Sequence, residues 1–204
     1  MNILVFGKDG QLGKAFKAVF DERKLEKLYR ISYVGRTECD LANPDAITAL
    51  LNKIKPDFII NAAAYTAVDQ AETEVDLAYA INAKAPEIMA HYAKGHGATF
   101  LHYSTDYVFD GSGTQAWQED DKAAPLNTYG KTKQMGERAI MEAKANAVIF
   151  RTSWVYSANG VNFVKTALRL ASRNATIRIV DDQVGAPTCA DLIADISIRA
   201  VEDK

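Results

Sequence analysis

Short apolar runs rich in β-branched and aromatic residues alternate with helix-length stretches along nearly the whole chain, and this alternation limits the folds available to it. Ile3–Phe6, Ile31–Val34, Phe58–Ile60, Thr99–Tyr103, Val148–Phe150 and Ile177–Val180 read as strands buried on both faces. Between and after them, Leu12–Phe20, Asp45–Ile54, Asp76–Ala93, Tyr129–Ala143, Phe163–Ser172 and Ala190–Val201 read as helices, with Asn43-Pro44 and Asn127 as starts. Such alternation predicts an α/β fold: a doubly wound, Rossmann-type parallel sheet with helices on both faces, extending over residues 1–204. Asp110–Pro125 is the longest irregular stretch, and a loop of that length in a compact domain is often functional.

Composition excludes several classes. With 204 residues, 48% hydrophobic and 25% charged, the chain suits one large core. A net charge of −2 leaves no basic footprint for nucleic acid. No apolar stretch reaches membrane-helix length and no signal peptide precedes the first strand, so a cytoplasmic location is expected, away from membranes. Cys39 and Cys189 read as reduced thiols, and no His grouping suggests a metal site.

The unusual residues sit where strands end, the edge at which open parallel sheets bind ligands. Gly7-Lys8-Asp9-Gly10-Gln11-Leu12-Gly13 follows the first strand as a G-x-x-G-x-x-G variant of the dinucleotide fingerprint. Its glycines would allow a tight turn, close approach to a pyrophosphate, and close helix packing; a plain strand-to-helix turn would need one glycine, not three. The second strand ends Val34-Gly35-Arg36 with no acid for a ribose hydroxyl, and Arg36 would suit the 2′-phosphate of NADP unless it is merely exposed. Asp40 and Leu41 could close around an adenine, or Asp40 could cap a turn. Ala62, Ala63 and Ala64 would let a flat cofactor pass, or would serve helix–sheet packing.

Tyr129 and Lys133 stand four apart, on one face of a helix. An ammonium beside a phenol would lower its pKa and make it a usable proton donor to a carbonyl receiving hydride. With 9 Tyr in the chain, about 0.7 such pairs arise by chance, so context must decide. Ser104 and Thr105 could hydrogen-bond the same carbonyl or cap a helix. Tyr107 and Trp154 could be platforms for a sugar or base, or core residues.

Together, the segments Asn2–Gly13, Asn61–Asp69, His102–Phe109, Pro125–Lys133, Phe150–Tyr156 and Asp182–Thr188 resemble the extended short-chain dehydrogenase/reductase family, among them its reductases of nucleotide-linked 4-keto sugars. The resemblance implies an NADPH-dependent reductase, with NADH as the alternative cofactor and a nucleotide sugar as substrate. It implies Thr105, Tyr129 and Lys133 as the catalytic residues. Gly7, Gly10, Gln11, Leu12, Gly13, Arg36, Asp40, Leu41, Ala63, Ala64, Tyr65, Thr66, Tyr103, Tyr129 and Lys133 would surround the cofactor. Val68, Thr105, Asp106, Tyr107 and Trp154 would lie near the sugar. Relatives act as epimerases or dehydratases, and the β subunit of methionine adenosyltransferase uses this fold without catalysis, so those readings stand beside the reductase. Family members usually run on for roughly a third of their chain beyond this point, a part that contributes to the nucleotide-sugar pocket. Some form a magnesium-linked dimer through acidic residues; here Ala15 replaces one and Asp191 matches another, so a homodimer is allowed but that metal link is not expected.

Overall fold

In the computed structural model, which describes residues 1–173 and 176–202, alternate side chains of each strand enter two separate cores. Ile3 and Val5 of β1 (Asn2–Phe6) join Phe16, Phe20, Ile60, Leu101, Tyr103 and Ile193 on one face; Leu4 and Phe6 join Ile47, Leu51, Ile59, Met89, Phe100 and Ile140 on the other. The sheet runs β2 (Arg30–Val34), β1, β3 (Phe58–Asn61), β4 (Thr99–Thr105), β5 (Asn146–Thr152), all parallel. Helices α1 (Gln11–Glu22) and α8 (Ala190–Glu202) cover the first face; α2 (Pro44–Ile54), α5 (Ala85–His96) and α6 (Thr128–Glu142) cover the second. The chain leaves β1 toward β2 and returns past β1 to β3, so the winding reverses there and opens a crevice at the strand ends.

Local chemistry sets the helix ends. The Asn43 side chain accepts from the amides of Asp45 and Ala46 at 3.0 and 3.2 Å, with Pro44 following. Asn127 accepts from Gly130 at 2.7 Å and starts α6. The single helix expected over Asp76–Ala93 is a succession: α4 (Val75–Tyr79), a π-helical stretch Ala80–Lys84, then α5. Pro86 in the first turn of α5 supplies no N–H, so the helical ladder changes pitch here. Where it does, α6 crosses closely: a Cβ on Gly136 would come within 2.3 Å of the Asn82 carbonyl oxygen.

The strand expected at Ile177–Val180 is absent. A strand needs a ladder partner, and this run has none among the described residues, leaving Ile179 and Val180 exposed. A two-stranded sheet forms nearby instead, from β6 (Val155–Tyr156) and β7 (Thr188–Cys189). The remaining elements are α3 (Val68–Ala71), α7 (Phe163–Ala171), the latter with no buried side chain, and 3₁₀ turns at Leu25–Lys27 and Asp106–Val108.

Candidate active site

At the carboxyl end of β1 three backbones meet. Gly7 has φ +86°, and a Cβ there would lie 2.8 Å from the Ala62 carbonyl and the Ala63 nitrogen. A Cβ on Gly13 would lie 2.1 Å from the Gly7 oxygen, so α1 is drawn hard against the turn. Gly10 differs: a Cβ there would meet the Gly7 oxygen alone, at 3.3 Å. No side chain caps α1 and its first turn holds no acid, so the helix start presents backbone amides to an approaching anion. The cradle fits a pyrophosphate. Gln11 contributes backbone here, since its side-chain amide bridges Val155 and Asn162 at 3.2 and 2.9 Å. Leu12 packs against the first core.

Beyond β2 the arrangement departs from expectation. An acid does reach this point: Glu38, brought back by the turn in which Cys39 N–H bonds the Gly35 oxygen, accepts from the Gly35 amide at 2.8 Å and pairs with Lys8. The Lys8 hydrogen bond, then the Gly35 amide, hold its carboxyl down at about 2. Spacing from the strand end concealed it; a helical turn closes the gap. Arg36 is exposed, its Nε 3.8 Å from Asp40. Asp40 accepts from the Ala42 amide at 3.0 Å, a turn-capping role, and Leu41 packs into the second core.

After β3, Ala63 is half-buried, and Ala64 and Thr66 are exposed. This loop is stapled by a residue the sequence did not single out. Asn82, 1% exposed in the π-helical stretch, accepts from Tyr65 N–H at 2.9 Å and donates to the Tyr65 carbonyl at 3.0 Å and to Thr132 Oγ1 at 3.2 Å. The Tyr65 hydroxyl donates to Glu74 at 2.7 Å. Val68 opens α3, half-buried.

At the end of β4, Thr105 donates to Asp106 and accepts from the Tyr107 amide, both at 3.2 Å, so it caps the following turn. Ser153 donates to the other Asp106 oxygen at 2.5 Å. The Tyr107 ring meets Tyr129 edge-on with centroids 5.7 Å apart. Ser104 Oγ is buried with no hydrogen-bond partner among the described residues. Burial pushes the Tyr129 phenol up to about 12, while Thr105 beside it pulls the other way.

That direction corrects the expected effect of Lys133. Its side chain, 1% exposed, turns inward; Nζ donates to the Tyr103 carbonyl at 2.5 Å and lies 3.3 Å from His102 Nε2. Burial brings Lys133 down to about 8, against the pull of Glu137. Shared helix face alone did not decide where a four-carbon stem points; the buried acceptors on β4 did. The Tyr103 phenol also faces away, buried against Ser197 at 2.7 Å, and offers the site its carbonyl. Ala15 is buried in the first core and presents nothing to a dimer metal.

Trp154 is 43% exposed at φ +44°, a backbone conformation rare for a large residue, and lies against Gly185, where a Cβ would come within 2.6 Å of the indole. Among the described residues no helix is long and apolar enough to cross a membrane, and no group of three or more His, Cys, Asp and Glu is placed to hold a metal.

The RmlD substrate binding domain family pattern matches residues 1–204. The chain belongs to this family. It is 46% identical to the dTDP-4-dehydrorhamnose reductase of Salmonella typhimurium over 98% of its own length and 67% of that enzyme's. Among solved structures it resembles a dTDP-4-dehydrorhamnose reductase from Clostridium acetobutylicum, with TM-score 0.93 and 36% identity, covering 100% of this chain and 71% of that one. It also resembles the Bacillus anthracis reductase in complex with NADP, at TM-score 0.91 and 36% identity, covering 98% and 70%. The chain thus spans about two thirds of the length of the curated relatives it matches.

Proposed function

We propose that the chain, as one cofactor-binding domain carrying the proton relay, reduces the 4-keto group of dTDP-4-dehydro-L-rhamnose to give dTDP-L-rhamnose with NADPH, or NADH as the alternative. The observation that carries the proposal is the meeting of Thr105 and Tyr129 at the end of β4, on the same sheet edge as the glycine cradle. The reductases named above support the choice of substrate, and the NADP complex of one of them supports the cofactor.

The amides at the start of α1 and the open approach at Gly10 would hold the pyrophosphate; Arg36 would meet a 2′-phosphate; and Ala63, Ala64, Tyr65 and Thr66 would flank the rest. A bound nicotinamide supplies the hydride. Tyr129 keeps its proton at neutral pH because burial disfavours the phenolate, so it is charged with a proton to give. As C4 gains hydride, its oxygen becomes an alkoxide, which takes the Tyr129 proton while Thr105 hydrogen-bonds it. Lys133, once charged and released from the Tyr103 carbonyl, would stabilise the resulting phenolate. Asp106, fixed by Ser153, and Tyr107, Val68 and Trp154 would orient the sugar.

The test is NADPH oxidation with dTDP-4-dehydro-L-rhamnose, alongside Tyr129→Phe. Loss of at least about 10²-fold in kcat with NADPH affinity retained is expected. A folded chain that binds NADPH and turns over no substrate would sink the proposal.

A further inference from the structure

The chemistry above leaves unused a row of buried polar groups behind Lys133. His102 on β4 is fully buried between Asn61 on β3 and Lys133 on α6, with Nδ1 3.2 Å from Asn61 Nδ2 and Nε2 3.3 Å from Lys133 Nζ. The far end of Asn61 fixes its orientation: Oδ1 accepts the half-buried Ala63 N–H at 3.3 Å, a bond that the flipped amide would replace with two facing donors. Asn61 therefore turns its NH₂ toward His102, whose Nδ1 must accept. A neutral imidazole carries one proton, which then sits on Nε2 and faces Lys133. An ammonium has three donors and no lone pair, so Nζ can receive that proton only as a neutral amine, which still donates to the Tyr103 carbonyl.

Resting on the proton-relay reading of Tyr129 and Lys133, we propose that His102 is a positioning residue that stows Lys133 as a neutral amine, so that charging Lys133 frees it from His102 to act beside Tyr129. Charging takes one proton from water onto Nζ, and His102 keeps its own. Burial lowers both groups, Lys133 to about 8, so the neutral amine gains weight as pH rises toward 8 and charging it is a step within reach of neutral pH. Of the surrounding titratable groups, Glu137, one turn on along α6, pulls Lys133 toward its charged form but is itself locked onto Arg151 of β5; Tyr129 lies one turn back; Lys84 of the π-helical stretch is paired with Glu87. Toward this side β3 offers neutral Asn61, the π-helical stretch neutral Asn82, and α5 the apolar Met89 and Ala90.

The test uses the full chain labelled with ¹⁵N in its 3 histidines, reading ring tautomers by ¹⁵N–¹H correlation and assigning His102 by His102→Phe. A neutral His102 protonated on Nε2 from pH 6 to 8 is expected, with its Nε2 signal shifted by Lys133→Met. In NADPH oxidation, folded His102→Phe should move the alkaline limb of kcat upward by about one pH unit with KM little changed, because the amine loses the donor that favours it. An imidazolium, an Nδ1–H tautomer, or an unmoved alkaline limb would each overturn the proposal. A wild-type chain that binds NADPH without turnover would sink the reductase reading alone, and the tautomer and its dependence on Lys133 would still decide the role of His102.

Discussion

Glu137 grips Arg151 through two parallel hydrogen bonds, Oε1 to Nε at 3.0 Å and Oε2 to Nη2 at 2.8 Å, one helical turn from Lys133. The carboxylate is almost fully buried, and Arg151 also donates to the Glu119 carbonyl and lies 5.0 Å over the Phe109 ring. This pair fastens α6, β5 and the long irregular loop together, and it sets the charge felt by Lys133.

Removing one partner should therefore cost more than removing both. Arg151→Met leaves a buried, uncompensated carboxylate and should destabilise the chain by about 3–5 kcal/mol in urea denaturation. The double replacement Glu137→Met with Arg151→Met should recover most of that loss. Equal losses for single and double variants would mean that the pair acts by packing alone.

The glycines of the first loop should separate folding from binding. Gly13→Ala places a methyl 2.1 Å from the Gly7 oxygen, so a lowered Tm and loss of NADPH binding are expected together. Gly10→Ala brings a methyl to 3.3 Å from the same oxygen, a contact that a shift of a few tenths of an ångström relieves, so Tm should fall far less than in Gly13→Ala while NADPH affinity falls about tenfold, as expected if the added methyl costs roughly 1.4 kcal/mol of binding. Calorimetry beside cofactor titration distinguishes the two.

Asn82→Ala should loosen the loop after β3, since three hydrogen bonds to Tyr65 and Thr132 go at once. About 2–3 kcal/mol of stability should be lost, with buried backbone groups of Tyr65 left to find water. A raised KM for NADPH at nearly constant kcat would mark the loop's part in binding.

Stability should depend on His102 in acid. Its folded pKa lies well below the ordinary 6.5, so the unfolded chain binds the proton first as pH falls. The contribution is present above about pH 6.5 and is lost below it, with a slope of up to about 1.4 kcal/mol per pH unit. Thermal unfolding from pH 7 to 5 should show this slope, and His102→Phe should flatten it. An unchanged slope in the variant would assign the acid sensitivity to other groups.

The fold was largely legible because parallel strands buried on both faces leave unmistakable apolar runs, and the glycine loop follows the first of them directly. Ile177–Val180 misled because the same composition forms a strand only beside a partner. In the site, residues under local rules take positions that such rules explain: Gly7 and Gly13 answer to a tight turn, Asn127 to a helix start, and Thr105 to the cap that stood as the alternative to its catalytic reading. Side chains whose roles depend on distant acceptors did not. Lys133 turns to a carbonyl 30 positions away, Asn82 to a loop 17 positions away, and Glu38 to an amide that a helical turn brings back. Asn82 and His102 carried no local signal, because a polar residue within a helical or apolar run looks the same whether it is satisfied locally or across the fold.

Trp154 has one indole face covered by the Gly185 backbone and a left-handed main chain holding it there. The other tryptophan, Trp117, is stacked on Phe109 with centroids 4.5 Å apart. The two indoles thus have unlike neighbours, one against a glycine backbone and one stacked on a phenylalanine ring, and their emission should be separable. The chain carries a built-in optical gauge: ligands reaching the sheet edge should quench or shift the Trp154 signal while Trp117 provides an internal reference.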